Sequence, residues 1–215
     1  MTEPDNDAAE RTARVRMTGR QRREQLVQVG RSLFAERGYD ATSIEEIAAR
    51  AGVSKPVVYE HFGGKEGLYA VVVDREMSDL LSRLTRALSA GHPRELAEQS
   101  ALALLTYIEE RTDGFRILSR DSTAGSTGAF SSLLNDVASQ VEHVLARQFD
   151  RRGYDPAHAA MYAQMLVGMV ALTGMWWLEE RAPDRATVAA HIVNLGWNGL
   201  AQLDSAPQPI AAKLD

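Results

Sequence analysis

Residues 43–65, SIEEIAARAGVSKPVVYEHFGGK, hold two short helical segments with a glycine turn between them and no slack on either side. Ser43 and Glu46 have the spacing of a capping box, in which each side chain accepts from a backbone N–H that the helix start would otherwise leave unpaired. Ile44, Ile47 and Ala48 then recur as one apolar face, and Gly52 ends the run where a left-handed backbone is easiest for glycine. Val53 can bury under the turn, Ser54 can cap the next helix, and Pro56 falls in its first turn, where a missing amide proton does little harm. Two helices this short and this tightly joined must cross steeply, which is the geometry of a helix-turn-helix.

At about 100° per residue, Val58 and Phe62 share one side of the second helix and are expected to pack on the helices before it. Pro56, Val57 and Glu60 point most directly away, Tyr59 and His61 lie on the flanks, and Lys55 stands at the exposed beginning. In a major groove, the outward residues would meet base edges and the flanks would meet the phosphate rims. A helical hairpin whose polar side only faces water has the same spacing.

The run from about Gln21 to Leu68 resembles the DNA-binding domain of the TetR (tetracycline repressor-like) family of bacterial transcriptional regulators. The resemblance is carried by Phe34, Gly38 and Tyr39, by Thr42 and Ile47-Ala48, by Gly52-Val53-Ser54, and by Tyr59, Phe62, Lys65 and Leu68. Beyond these roughly fifty residues the chain is similar to the family in length and helical character alone. The resemblance implies that Thr42, Tyr59, His61 and Lys65 hold the DNA backbone, while Lys55, Pro56 and Val57 approach bases, with Ser54 in the same DNA-facing set. The chemistry agrees: a hydroxyl beside a helix start, a phenol and a mobile cation all suit phosphate. Pro56 and Val57 can touch thymine methyl groups but bring no side-chain donor, and Glu60 is repelled by phosphate unless it accepts from cytosine or pairs with a cation.

The net charge of −5 is wrong for a DNA binder until it is divided along the chain. From Arg11 to Ala70 there are eleven Lys/Arg against seven Asp/Glu, whereas residues 1–10 carry four acidic groups and residues 71–215 carry thirteen basic against eighteen acidic. The basic part is the expected reader and the acidic remainder does another job. Arg11, Arg14, Arg16, Arg20, Arg22 and Arg23 form an acid-free stretch ahead of the first helix, read either as an arm that follows DNA or as a solvated tail. The chain has no cysteine, hence no thiol nucleophile or thiolate metal site, and its N-terminus lacks the apolar core of a secretory signal, so a cytoplasmic location is expected.

The remaining pattern is all-α. A long helix from about Lys65 to Ser89 is followed by segments near Arg94–Arg111, Phe115–Arg120, Ser126–Arg151, Pro156–Glu180 and Arg185–Leu203, with Gly91-His92-Pro93, Asp113-Gly114, Gly153 and Ala182-Pro183-Asp184 as punctuation. The expected organisation is a flexible basic arm (1–19), a three-helix DNA-binding domain (20–67), a helical effector-binding and dimerisation domain (68–204) entered by the long helix, and a loose tail (205–215). Residues 159–178 run twenty positions without a formal charge, the length of a membrane span, but Gln164, Tyr162, Thr173 and two glycines dilute them and a buried helix is the preferred reading.

Met161, Met165, Gly168, Leu172 and Met175 make one stripe of that helix, and Tyr162, Leu166, Met169, Thr173 and Trp176 another; Val188, Ile192, Leu195, Gly199 and Leu203 give the last helix a seam with Trp197 beside it. Such surplus apolar surface suggests a four-helix homodimer interface through 156–180 and 185–203, as the resemblance also implies, unless both helices are intramolecular core. Two heads on a two-fold axis would match an inverted-repeat operator. By resemblance, the helical domain encloses a small-molecule pocket whose occupancy releases DNA. Tyr107, Phe115, Leu118, Met165, Met169 and Trp176 are candidate lining residues, with Asp121 and His143 as polar anchors, and a largely apolar or aromatic ligand is expected; plain packing is the alternative for each.

An enzyme is the competing class. His61, His92, His143, His158 and His191 are scattered with no metal-ligand spacing, so no metal, cofactor or catalytic set is expected. A regulator without an effector is the third reading. Repression is the family's usual mode and is carried by the resemblance alone. Deletion of residues 1–19 is expected to lower DNA affinity and flatten its salt dependence; if both stay unchanged, the arm is a solvated tail.

Overall fold

Thr18 and Gln21 start the first helix with a reciprocal capping box, in which the Gln21 amide donates to Thr18 Oγ1 at 3.2 Å and the Thr18 amide donates to Gln21 Oε1 at 2.8 Å. The computed structural model describes residues 17–121 and 128–208. Its helices are α1 (Gly19–Arg37), α2 (Ile44–Ala51), α3 (Lys55–Phe62), α4 (Lys65–Ala87), α5 (Pro93–Glu110), α6 (Thr112–Asp121), α7 (Ala129–Arg152), α8 (Ala159–Glu180, after a 3-10 turn at Pro156–His158) and α9 (Arg185–Ala201). No strand occurs among the described residues.

Two main cores divide these helices, beside a smaller cluster of Leu145 and Phe149 from α7 with Ala159 and Ala163 from α8. The first buries Leu26, Leu33 and Phe34 of α1, Ile47 of α2 and Val58 of α3 against Leu68 and Val72 at the start of α4. The second buries Leu80 and Leu84 of α4 with Leu104, Leu105 and Ile108 of α5, Phe130 and Leu133 of α7, Trp177 of α8 and Ile192 of α9. The expected boundary between 67 and 68 therefore falls inside one continuous helix that serves both cores. Helix α6 does the same across its width, sending Ile117 into the first core and Phe115 and Leu118 into the second.

Several expectations are corrected. Arg20, Arg22 and Arg23 belong to α1, which the Thr18 cap starts earlier than the arginine-rich reading allowed; Arg11, Arg14 and Arg16 lie outside the described residues. Asp113-Gly114 does not punctuate the chain but forms the first turn of α6. The buried face of α8 is Ala159, Ala163, Val167, Ala171, Gly174 and Trp177, on the side of the helix away from the two adjacent stripes read from periodicity. Of the α9 seam, Val188 and Ile192 turn inward while Leu195 is exposed.

Gly67 allows α4 to leave α3 without a spacer, because a Cβ there would lie 2.0 Å from the Phe62 carbonyl oxygen. Gly67→Ala is expected to force that backbone apart and lower stability by about 2 kcal/mol, in the range of other overpacked sites. Equilibrium urea unfolding checks this.

Candidate functional site

The reading helix is positioned by caps and by packing from behind. The Glu46 amide donates to Ser43 Oγ at 3.2 Å, and the Ser43 amide donates to Glu46 Oε2 at 3.2 Å, so α2 starts as its sequence requires. Gly52 closes α2 in the left-handed region (φ 65°), and its N–H donates to the Ala49 carbonyl at 3.1 Å. Ser54 occupies the N-cap position of α3 in an extended conformation, but its side chain makes no cap hydrogen bond. Val58 is fully buried beneath α3. Arg23 clamps the far end: its guanidinium lies 4.3 Å from the Phe62 ring centroid and donates to the His61 carbonyl at 2.5 Å.

The outward side matches the helical phase. Ser54, Lys55, Pro56, Tyr59 and Glu60 are exposed, Tyr59 by 52 %, while Val57, His61 and Lys65 are half-buried. Lys55 is paired with Glu45 of α2, and that pairing holds the Glu45 carboxyl below the usual carboxylate range. Lys65 donates to the Tyr39 carbonyl at 2.9 Å and lies 4.2 Å from the Tyr39 ring centroid. Thr42 is the exception. It is 2 % exposed and its hydroxyl donates to the Gly38 carbonyl at 2.7 Å, so it braces the turn before α2 instead of offering a donor outward. Arg23 was read from the sequence only as part of the basic arm, and Glu45 was not singled out; both act through partners far along the chain or across a turn, and no local spacing marks these roles.

The second core contains a cavity of about 170 Å³ between α4, α5, α7, α8 and α9. Its wall is largely aliphatic, with Leu84, Leu104, Leu133, Val137, Leu166 and Ile192 among the lining side chains. His92, Ser100, Gln148 and Arg152 add polar groups, and the exposure of His92 and Arg152 puts polarity at the solvent end. Of the expected ligand residues, Met169 alone lines this cavity. Tyr107, Phe115 and Leu118 are wholly buried behind the wall. Phe115 packs edge-on against the lining residue Phe130 with ring centroids 5.6 Å apart. Met165 and Trp176 are half exposed on the opposite face of α8, and His143 borders a separate shallow depression with Arg147. The Asp121 side chain lies outside the described residues. No cluster of three or more acidic or histidine groups able to hold a metal occurs among the described residues.

The model of bacterial regulatory proteins of the tetR family matches residues 26–72, and the model of the tetracyclin repressor-like C-terminal domain matches residues 83–211. The chain belongs to the TetR family. It is a helix-turn-helix transcriptional regulator and not an enzyme, on the strength of that membership. The transcriptional activator FasR of Mycolicibacterium smegmatis is 32% identical over 193 residues, covering 85% of this chain and 84% of FasR. A transcriptional repressor of Mycobacterium tuberculosis is 41% identical over 75 residues, 35% of this chain and 38% of its own. The crystal structure of a TetR-like regulator from Rhodococcus sp. RHA1 superposes with a TM-score of 0.70 at 23% identity, covering 87% of this chain and all of that one. The first match covers the first core except Ile117 of α6, and the second covers most of the other core.

Tyr59→Phe removes one exposed hydroxyl from this TetR-family reader and leaves the ring in place. It is expected to weaken operator and unrelated DNA by a similar factor, about fivefold for one lost hydrogen bond. Fluorescence anisotropy on both DNAs checks this; a changed sequence preference at constant overall affinity would remove Tyr59 from the phosphate-binding role.

Proposed function

We propose that this TetR-family chain is a cytoplasmic, homodimeric one-component regulator that holds an inverted-repeat operator and is released by a small apolar ligand in the cavity of the second core. The observation that carries the reading is the pairing of two surfaces of opposite chemistry on shared helices. The exposed face of α3 is polar and fits DNA, the cavity is aliphatic, and α4 and α6 pack in both cores. On this reading Tyr59, His61 and Lys65 contact phosphates, Ser54 and Lys55 lie beside them at the start of α3, and Pro56 and Val57 face bases.

The cavity narrows the ligand class. The exposed Met-Trp face is not part of it, so an aliphatic chain fits better than an aromatic one, and Gln148, Arg152 and His92 favour a polar group at one end. The ligand must bind the DNA-free arrangement better than the DNA-bound one, since equal affinity for both shifts nothing.

Pro156–Glu180 is long and apolar enough to cross a membrane, and its outward face carries Met161, Met165, Leu172 and Trp176. A second copy of the chain is the better cover. Gln164 is exposed on the same helix, and α9 beside it presents Leu195 among exposed His191, Asn194 and Asn198, a mixed surface that suits a protein interface. Repression follows where the bound dimer overlaps a promoter; the name of the M. smegmatis relative makes activation the second reading of sign.

Selection of genomic fragments with the purified protein is expected to enrich an inverted repeat, and sedimentation at micromolar concentration is expected to show a dimer. Weak, sequence-independent, salt-sensitive binding by a monomer would refute the reading. With dodecanol as probe, thermal stability is expected to rise and operator affinity to fall; stabilisation with no loss of DNA affinity would leave a regulator that this ligand class does not release.

A further inference from the structure

Glu76 lies midway along α4 with 3 % of its surface exposed, and partners from α1, from α5 and from the junction before α6 converge on its carboxylate. Tyr107 of α5 donates to Glu76 Oε2 at 2.8 Å. Arg111, the residue that closes α5, reaches Oε1 at 3.3 Å, and Arg31 of α1 reaches the same oxygen at 3.4 Å. Gly114 of α6 closes the site, because a Cβ there would lie 2.1 Å from Oε2 and 2.8 Å from the Tyr107 hydroxyl oxygen. Burial, and then the neighbouring carboxylate, push the Tyr107 phenol up, so it remains a donor.

A buried ion pair is a poor route to stability, because apolar side chains of similar volume fill the same space without desolvating charge. It is a good route to one geometry. An aliphatic contact tolerates sliding, whereas a carboxylate between two guanidinium groups and a phenol does not. The Nε atoms of Arg31 and Arg111 are buried with no hydrogen-bond partner among the described residues, so both guanidinium groups hold this arrangement through their terminal nitrogens. Arg111 is further fixed by Asp79, 3.6 Å from its Nε, and Asp79 is in turn bonded by Arg83. Arg31 comes from the DNA-binding core; Tyr107, Arg111 and Gly114 come from the other side. Other polar ties from α1 to the second unit include Glu24 with Arg75 at an exposed edge and the Ala35 carbonyl with Arg120. Phe115, next to Gly114, packs on Phe130 of the cavity wall, so the carboxylate lies between the cavity and the reader.

We propose that Glu76 is a positioning residue for DNA recognition: held by Tyr107 and Arg111, its carboxylate grips Arg31 and sets the angle of the reading head on the helical body, and with it the half-site spacing that the dimer accepts. This rests on the dimeric operator reading given above. The residue touches no DNA and acts only through Arg31.

The test uses the full-length dimer and a series of inverted repeats in which the spacer between half-sites changes in single base-pair steps around the wild-type optimum. Arg31→Met leaves Glu76 paired with Tyr107 and Arg111, and Gly114→Ala pushes the carboxylate aside with every charge intact. Both are expected to cut the discrimination between the optimal spacer and its neighbours about tenfold, a typical coupling between sites, while affinity for an isolated half-site stays within about twofold. Arg31→Lys is expected to restore part of the discrimination. Two variants from opposite sides of the carboxylate keep the test open should Glu76→Gln itself not fold. Equal weakening on every spacer and on the half-site would mean that the cluster only stabilises the protein, and unchanged discrimination would mean that other contacts set the angle; either overturns the inference. A wild-type protein with no preference for inverted repeats would overturn the dimeric reading first, and is recognised before any variant is made.

Discussion

One helix shared by two hydrophobic cores is the constraint from which the rest of the structure follows. Leu68 and Val72 fix the start of α4 under the DNA-reading helices, and Leu80 and Leu84 fix its later turns in the ligand-sized core. Each fully buried aliphatic side chain of this kind contributes roughly 1.5–3 kcal/mol of transfer free energy, so neither end can be lifted without loss of its core. The helix must therefore move as a rigid rod about 35 Å long, at 1.5 Å per residue. On the proposed reading, a change of packing at Leu84, which lines the cavity, would be delivered at Leu68 as a tilt. Helix α6 limits that tilt from the side, because Ile117 and Phe115 commit neighbouring faces to different cores.

Charge is arranged in a complementary way. The ion pairs that decorate the reader, Lys55 with Glu45, Arg37 with Glu46 and Arg50 with Glu36, are all substantially exposed. Exposed pairs contribute only about 0–1 kcal/mol each, so they do little to hold the fold. Their weakness has a functional side. A cation resting on a surface carboxylate can exchange it for a phosphate at small cost, whereas the buried Glu76 cluster cannot rearrange so cheaply. On the proposed reading, the molecule thus separates labile charges, where DNA would dock, from fixed charges, where the two cores join.

The reader was legible from sequence because every signal in it is local. The Ser43–Glu46 box, the left-handed Gly52, Pro56 near the start of α3 and the phase of Val58 and Phe62 are settled within a few residues of each other, and the structure places them so. Thr42 was misplaced because a hydroxyl beside a helix start has two uses, and only the position of the Gly38 carbonyl decides between them. Gly114 was read as a break because glycine marks both turns and close approaches, and the approaching group, Glu76, is 38 positions away in the chain. The cavity was the least legible part. Which face of α8 turns inward depends on the angle at which α7 and α9 cross it, and methionine and tryptophan suit an outward subunit interface as well as an inward wall. Small residues such as Ala163, Ala171 and Gly174 take the buried face instead, which lets α8 lie close to its neighbours.

That closeness bears on how a filled cavity could be felt beyond α4. Leu166, Met169 and Val170 of α8 line the cavity, while Met165 and Leu172 of the same helix face outward. Gly196 of α9 approaches α8 so nearly that a Cβ would lie 3.2 Å from Leu166 and 3.3 Å from Met169. The two helices touch there through the side-chain ends of Leu166 and Met169. In a dimer joined through α8 and α9, an apolar ligand that pushes on Leu166 displaces the subunit interface as well as the rod that carries the reader. Two lever arms then act on the separation of the reading heads, α4 within each subunit and the interface between them. On the proposed reading, operator release would require only that their displacements add, and the ion pair at Glu76 would let a movement of the helical body reach the reading head without being lost in slack at the joint between the cores.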